Sequence, residues 1–179
     1  KPDLVIETGV ARGGSIIFSA SLLELIGKGE VLGIDINIKK ENKKFIEKHP
    51  LSKRIHLFEG SSVDKKIVNQ IKKFVQNKKK ILVILDSNHT HAHVLKELKI
   101  YSTFVSKNSY LIVFDTIIDE LSDEVLKNRP WGKNNNPKSA VKAFLKTNDR
   151  FRVDKNIEKK LLMTVAPMGY LKCIKSNKM

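Results

Sequence analysis

The stretch Glu7-Thr8-Gly9-Val10-Ala11-Arg12-Gly13-Gly14-Ser15 decides the fold, because it places a glycine-rich turn between an apolar run and a segment of helical period. In doubly wound α/β sheets, the turn after the first strand lies against a nucleotide-like ligand. The spacing here is E-x-G-x-x-x-G-x-S, and Ala11 stands where the dinucleotide pattern G-x-G-x-x-G needs its second glycine. The turn therefore predicts a ligand site of a different kind at the end of a first parallel strand.

The rest of the chain alternates apolar runs with helical patterns, as a parallel sheet with crossover helices requires. The expected fold class is α/β, a Rossmann-like doubly wound sheet of about seven strands, mostly parallel with an antiparallel edge pair. We predict parallel strands at 4–7, 31–36, 55–59, 81–86 and 110–115, an antiparallel pair at 151–154 and 161–174, and helices at 14–26, 40–48, 63–76 and 91–105, with another from Pro137.

Length and composition predict one domain over residues 1–179. Because the sequence opens directly on a strand, we also hold the hypothesis that an N-terminal segment is missing. Cys173 is the only cysteine, so the sequence shows no disulfide framework and favours a reducing, cytoplasmic compartment. No apolar run approaches the roughly 18 residues that span a bilayer, so no transmembrane segment is expected.

The formal net charge of +15 raises the alternative of a basic RNA- or polyanion-binding protein on a degenerate scaffold. Of the 34 basic residues 29 are lysine, whereas arginine is the residue suited to bidentate recognition of phosphates and bases. Many lysines recur at helical spacing, as at Lys39, Lys40, Lys43 and Lys44, which is typical of a solvated helix face. We therefore expect no nucleic-acid partner.

Acidic and glycine residues around the turn predict S-adenosylmethionine (SAM) as the cofactor. Glu7, two residues before Gly9, would repel a diphosphate but attract the ammonium and sulfonium charges of SAM. Asp35 ends the second strand near the usual offset for a carboxylate that accepts both ribose hydroxyls, although a helix cap is the alternative there. Ser62 follows the third strand, where it could contact the adenine edge or cap the next helix. Gly9 and Gly13 complete the predicted cofactor site.

Two further carboxylates predict a metal site beside the cofactor. Asp86 closes the fourth strand and Asp115 the fifth, and these strands should be neighbours. Two carboxylates at one point need a cation, and oxygen ligands suit Mg²⁺. The metal would lower the pKa of a substrate hydroxyl, and His89 could take the proton. A helix-cap role for His89 is the alternative, while zinc on His89, His91 and His93 is disfavoured because these positions do not share a helix face.

These motifs together resemble a known family. Glu7-x-Gly9-x-x-x-Gly13-x-Ser15, Asp35, Gly60-x-Ser62-x-Asp64 and Asp86-x-x-His89 are similar to the successive motifs of catechol-type class I SAM-dependent O-methyltransferases. From Pro2 to Ile174 the chain resembles the cephalosporin hydroxylase and rhamnosyl O-methyltransferase family. That closer resemblance rests on the first turn, on Leu85-Asp86-Ser87-x-His89, on Arg129-Pro130-Trp131-Gly132 with Asn135-Asn136-Pro137, and on Thr164-Val165-x-Pro167-x-Gly169-Tyr170-Leu171.

The resemblance implies a class I methyltransferase fold, SAM and a divalent metal. It would place the methionine carboxylate near Ser15, ribose on Asp35, adenine near Ser62 and the metal on Asp86 and Asp115, with His89 where catechol-type enzymes carry a basic lysine.

The predicted function is a metal-assisted O-methyltransferase acting on a hydroxyl of a sugar, a glycan or lipopolysaccharide precursor, or a secondary metabolite. Arg129 and Trp131, in the polar stretch 128–137, are the candidate acceptor contacts, although a plain surface loop is the alternative. A cephalosporin-hydroxylase-type enzyme is the rival within the family, and a homo-oligomer is compatible with the sequence.

Overall fold

Seven strands form one sheet: β1 Leu4–Thr8, β2 Glu30–Asp35, β3 Ile55–Glu59, β4 Ile81–Leu85, β5 Tyr110–Val113, β6 Phe151–Val153 and β7 Tyr170–Cys173. In this computed structural model, which describes residues 1–177, the strand order is β3-β2-β1-β4-β5-β7-β6. The first five strands pair in parallel, and β7 runs antiparallel to both β5 and β6. The predicted doubly wound sheet with an antiparallel edge is confirmed.

Helices fill the crossovers: α1 Gly14–Ile26, α2 Lys40–Lys48, α3 Lys65–Phe74, α4 His91–Tyr101, α5 Asp123–Leu126, α6 Pro137–Thr147 and α7 Lys155–Leu161. Short 3₁₀ turns lie at Ser52–Arg54 and Thr116–Glu120. Asn136 caps α6 in a capping box with Ser139, and Pro137 opens the helix where a missing N–H costs nothing. Among helices of residues 1–177, none combines the length and apolarity that a bilayer crossing requires.

The core lies on both faces of the sheet, as the continuous apolar strands predict. Every residue of β1 is buried, and its side chains alternate between the two faces. Leu4 and Ile6 pack in the larger cluster with β4, β5 and α4, whereas Val5 packs with α1. The strand order reverses between β1 and β4, so the carboxyl ends of these strands border the crevice in which such sheets bind ligands.

Several sequence-based boundaries differ from the structure, and two of these differences concern the site and the chain beside it. Within the predicted strand 161–174, only Tyr170–Cys173 is a strand. Leu161 instead ends α7, which Asp154 caps by accepting a hydrogen bond from the Asn156 backbone N–H at 3.2 Å. Asp115 lies beyond β5 rather than in it. Its left-handed backbone, with φ of 55°, begins the 3₁₀ turn Thr116–Glu120 and turns the chain across the sheet edge.

Candidate functional site

The glycine turn lies directly against the end of β4. Gly9 has φ of +91°, and a Cβ atom built there would lie 2.1 Å from the carbonyl oxygen of Asp86. Gly13 has φ of +85° and precedes α1, and a Cβ atom there would lie 2.6 Å from Cδ1 of Ile46. Both positions favour glycine because φ is positive, and at Gly9 the Asp86 backbone also leaves no room for a side chain. The turn and Asp86 are therefore parts of one rigid edge.

Glu7, just before the turn, is a buried carboxylate. It is 1% exposed, Ser15 donates its hydroxyl to Oε1, and Oε2 is buried without a hydrogen-bond partner among the described residues. Burial raises the pKa of Glu7 to about 7, and the Ser15 hydrogen bond opposes that rise only in part. An ammonium group placed at Oε2 would satisfy the unpartnered oxygen and favour the ionised carboxylate. The site thus fits a cationic ligand group, as expected of SAM.

Asp35 holds the glycine turn in place. Its Oδ2 accepts hydrogen bonds from the backbone N–H of Val10 at 2.8 Å and of Ala11 at 3.0 Å. Its Oδ1 accepts from the backbone N–H of Asn37 at 3.1 Å and has lone-pair capacity left for a ligand hydroxyl. The sequence analysis considered a ribose contact or a helix cap for Asp35 and missed this support of the turn, because contacts over 24 and 25 residues leave no local signal.

A cavity extends from the turn along the ends of β2, β3 and β4. It is lined by Gly9, Ile34, Asp35, Ile36, Ser61, Ser62, Ser87, Asn88 and His93. Ser62 is buried, and its hydroxyl lies 3.2 Å from Nε2 of His93. The structure thus brings Ser62 and Asp35 into one cavity, as the predicted adenosine site requires, and adds His93, which the sequence analysis had considered only as a disfavoured zinc ligand.

A buried carboxylate supports His93 from behind. Glu97 has no exposed surface, and its Oε1 accepts a hydrogen bond from the Ser87 hydroxyl at 2.7 Å and lies 3.6 Å from His93 Nε2. Its Oε2 has no partner among residues 1–177. The spacing of His93 and Glu97 by four residues places them on one face of α4, and this was the available sequence signal that the analysis missed.

The two predicted metal carboxylates meet, together with His89. Ligand atoms of Asp86, His89 and Asp115 all lie within 4.8 Å of one another, and His89 Nε2 is 3.4 Å from Asp115 Oδ2. Burial raises the pKa of Asp86 to about 7, and the nearby charges of Asp115, Glu7 and Glu97 add to the rise. A divalent cation would relieve this repulsion. The pKa of His89 is lowered, chiefly by burial, which favours the neutral imidazole.

A well-anchored loop covers His89. The Trp131 ring packs edge-on against the His89 ring with centroids 4.7 Å apart, and the Arg129 guanidinium lies 5.6 Å from the Trp131 ring centroid. Asn136 has no exposed surface, and its amide donates to Gly132 O and Asp119 Oδ1, both at 2.8 Å. Both candidate acceptor residues therefore stand beside the predicted metal site, on a segment with fixed geometry.

Comparisons with known proteins support the expected family. The family model described as Rhamnosyl O-methyltransferase/CmcI matches residues 1–174. A rhamnosyl O-methyltransferase of Mycobacterium bovis (strain BCG / Pasteur 1173P2) is 34% identical over 178 residues, a match that covers 96% of this chain and 67% of the relative. The rhamnosyl O-methyltransferase of Mycobacterium leprae (strain TN) is 31% identical over 176 residues, covering 96% of this chain and 71% of the relative.

Solved structures share the fold at lower identity. A CmcI structure with Mg and SAM has a TM-score of 0.63 at 18% identity, covering 97% of this chain and 66% of that chain. The MycE methyltransferase of the mycinamycin pathway, in complex with Mg and S-adenosylhomocysteine (SAH), has a TM-score of 0.60 at 15% identity, covering 99% of this chain and 46% of that one. This chain thus spans about two thirds of the curated relatives and of CmcI.

The sequence relatives and the family model confirm the expected enzyme class, SAM-dependent O-methyl transfer. The roles of the individual site residues stay predictions. From the match over residues 1–174 and the curated relatives, we conclude that this chain belongs to the rhamnosyl O-methyltransferase/CmcI family of SAM-dependent methyltransferases.

Proposed function

We propose that this chain transfers the methyl group of SAM to a hydroxyl of a sugar or secondary metabolite, with the help of a divalent metal, most simply Mg²⁺. The observation that carries the proposal is the convergence of Asp86, His89 and Asp115 beside the turn that holds the buried Glu7. When bound, SAM would supply the methyl group and the cation would lower the pKa of the acceptor hydroxyl.

Residues of the turn and the cavity would hold SAM along the sheet edge. Glu7 would accept the ammonium group at its unpartnered Oε2, and the Ser15 hydroxyl beside it would face the methionine end. Asp35 would accept a ribose hydroxyl at Oδ1 while Oδ2 keeps the turn closed. Ser62 and His93 would border the adenine. The backbone constraints at Gly9 and Gly13 preorganise this surface, so little is lost to ordering on binding.

We assign Asp86 and Asp115 as the metal ligands and the His89 imidazole as the group that accepts the proton. Mg²⁺ prefers oxygen ligands and keeps several waters, so Asp86 and Asp115 suffice as protein ligands. His89 is held neutral by burial, and its Nε2 lies 3.4 Å from Asp115 Oδ2, within reach of the same point. Nε2 would accept the proton of the acceptor hydroxyl, and the packing of Trp131 fixes the ring plane.

The acceptor would enter between the loop and the metal carboxylates. Relatives named rhamnosyl O-methyltransferases and a MycE complex with mycinamycin VI support a sugar-bearing or secondary-metabolite acceptor. Trp131 offers an apolar ring to the C–H face of a sugar, and Arg129 offers donors to its hydroxyls. We expect the acceptor to be a sugar or small molecule rather than a nucleic acid. That the chain forms a homo-oligomer stays a prediction.

Calorimetric titration of SAH tests the cofactor site, because SAH keeps every proposed contact except the sulfonium charge. Wild type should bind SAH in the micromolar range, and Asp35→Ala should bind it roughly tenfold or more weakly, because hydrogen bonds to a charged group are lost. Asp123→Ala, at an exposed carboxylate of α5, is the control and should match wild type. Unchanged SAH affinity in Asp35→Ala would remove Asp35 from the site.

Metal binding is tested without an acceptor by titrating Mn²⁺ and following its electron paramagnetic resonance signal. Asp86→Asn should weaken Mn²⁺ binding by at least about tenfold, since it removes a charged ligand, while SAH affinity stays within about twofold of wild type. Asp123→Asn is the matched control at an exposed aspartate. Equal Mn²⁺ affinity in Asp86→Asn and wild type would contradict the metal assignment.

A further inference from the structure

An apolar and basic surface is formed by the end of α7 and the chain that joins it to β7. Four large aliphatic side chains there are solvent-exposed: Leu161 by 49%, Leu162 by 89%, Met163 by 89% and Val165 by 52%. We call these four residues the aliphatic patch. Exposed apolar groups that are contiguous in the chain, rather than scattered singly, mark interaction sites on protein surfaces.

The patch is held in place by the folded domain. The backbone N–H of Ile117 donates to Val165 O at 3.2 Å, and the Ala166 N–H donates to Thr164 Oγ1 at 3.0 Å. The Thr164 hydroxyl also lies 2.7 Å from the Tyr170 hydroxyl on β7. These contacts attach the segment that follows the patch both to β7 and to the 3₁₀ turn Thr116–Glu120. The exposure of the patch is therefore a property of the folded domain.

Exposed cationic side chains directly precede the patch in the chain. Arg152, Lys155, Lys159 and Lys160 are all exposed within the preceding ten residues. The two acids of this stretch make contacts inside the domain: Asp154 accepts from the Tyr110 hydroxyl at 2.8 Å, and Glu158 accepts from the Met168 N–H at 2.8 Å. The outward charge of this surface is therefore positive, in a chain whose formal net charge is +15.

We infer that the aliphatic patch and its lysines dock the protein onto an anionic lipid bilayer. Aliphatic side chains that enter the acyl boundary, flanked by lysines that bind anionic headgroups, are the combination by which surface segments bind membranes. A single-stranded nucleic acid would instead be expected to use aromatic stacking residues, and the segment from Lys155 to Val165 contains none. The inference rests on this surface alone and does not depend on the proposed methyl transfer.

Docking here would bring the active edge to the membrane surface. Thr116, which directly follows the predicted metal ligand Asp115, donates its hydroxyl to Pro167 O at 2.7 Å. The patch and the predicted metal site are thus joined through a short, hydrogen-bonded stretch of chain. Membrane docking at the patch would place the carboxyl edge of the sheet close to the bilayer.

Cosedimentation with lipid vesicles tests the inference without any activity readout. The purified chain is mixed with vesicles of phosphatidylcholine containing phosphatidylglycerol, and in parallel with vesicles of phosphatidylcholine alone, at low and at physiological salt. We expect binding to the anionic vesicles that weakens with salt, and little binding to the neutral ones.

Paired variants separate the two contributions. Leu162→Asn with Met163→Ser removes apolar contact at the two most exposed side chains of the patch, each 89% exposed. Lys159→Gln with Lys160→Gln removes charge. Each pair should weaken binding by about tenfold or more. The matched controls are Leu25→Ser, at a leucine 85% exposed on α1, and Lys43→Gln with Lys44→Gln on α2, and both should bind as wild type does.

Three outcomes would overturn the inference. The first is that wild type does not sediment with anionic vesicles at low salt. The second is that the α2 lysine pair weakens binding as much as Lys159 and Lys160 do, which would indicate diffuse polycation binding. The third is that the aliphatic pair of substitutions leaves vesicle affinity unchanged. If this pair instead weakened binding to a single-stranded RNA as much as it weakened binding to vesicles, the surface would be assigned to another class of partner.

Discussion

At the scale of single residues, the site depends on backbone positions as much as on its acids. Gly9 joins two functions, because its turn carries the proposed cofactor contacts while its Cα faces the backbone carbonyl of the predicted metal ligand Asp86. The Asp86 N–H in turn donates to Thr8 O at 2.9 Å, so β1 and β4 hold both sides of this junction. A change at Gly9 should therefore disturb cofactor and metal binding together.

Gly9→Ala is expected to weaken both SAH and Mn²⁺ binding. A Cβ atom would meet Asp86 O at 2.1 Å, so β4 or the turn must move, and the left-handed φ adds strain that we estimate at about 1–2 kcal/mol. Urea unfolding and the two titrations measure the effects. Gly14→Ala, five residues on, meets nothing within 4 Å and enters a helix, so it should be neutral or slightly stabilising. Similar results for the two variants would contradict the close-packing argument.

At the scale of elements, the loop from Arg129 to Asn136 is ordered by its connections to helix ends. Asn135 accepts from the His91 N–H at the start of α4, at 3.0 Å, and Asn136 caps α6. The His91 ring nitrogen Nδ1 lies 2.8 Å from the Ser139 hydroxyl, which joins the same two helices. The loop therefore places Trp131 against His89 by bonding both helix starts to each other.

Asn136→Ala is expected to release this loop. It removes the side-chain cap of α6 and the two hydrogen bonds that the buried Asn136 amide donates to Gly132 O and Asp119 Oδ1, so the free energy of unfolding should fall by about 2 kcal/mol or more. Fluorescence of Trp131, the single tryptophan, should shift to longer wavelength as its packing on His89 loosens. Lys133→Ala, at an exposed loop lysine, is the control. An unchanged emission spectrum together with full stability would contradict the anchoring role.

At the scale of the whole molecule, the sheet edge concentrates acids in a chain that is otherwise strongly basic. Glu7 and Asp86 both have pKa values raised to about 7, mainly by burial, although the formal net charge of the chain is +15. The fold therefore forms a crevice with acidic side chains, suited to bind a cation, in a chain whose overall charge is positive. The folded chain without ligands should become less stable as these acids ionise.

The pH dependence of unfolding tests this view through Glu7. Its pKa rises from 4.5 to about 7 on folding, so the stabilisation from the protonated form is complete below pH 4.5 and is lost as pH rises through about 7. Wild type should lose up to roughly 3 kcal/mol of unfolding free energy between pH 4.5 and 8 relative to Glu7→Gln, measured in urea. Glu47→Gln, at an exposed glutamate of α2, should behave as wild type. An equal pH dependence in Glu7→Gln and wild type would contradict the buried-carboxylate account.

The sequence alone determined the fold class, the family, and which acids lie at the carboxyl ends of the strands. Acids that follow parallel strands can be located from the sequence, because these strands present their carboxyl ends at one edge of the sheet. Asp86 and Asp115 could therefore be predicted to meet. The helices α1 and α6 also began at the predicted residues, after the glycine turn and after the Asn136 cap respectively. These features depend on local patterns of apolar residues, glycine and capping residues, and such patterns can be recognised in the sequence alone.

Only the tertiary structure decided which contacts these residues make. It showed that Asp35 holds the glycine turn through two backbone N–H groups, and that Glu97 lies behind His93. It also left Leu162 and Met163 exposed outside the sheet, where the sequence analysis had predicted an antiparallel edge strand. Burial and hydrogen-bond partners depend on contacts between distant segments, and a side chain's chemistry is fixed by those contacts rather than by its neighbours in sequence.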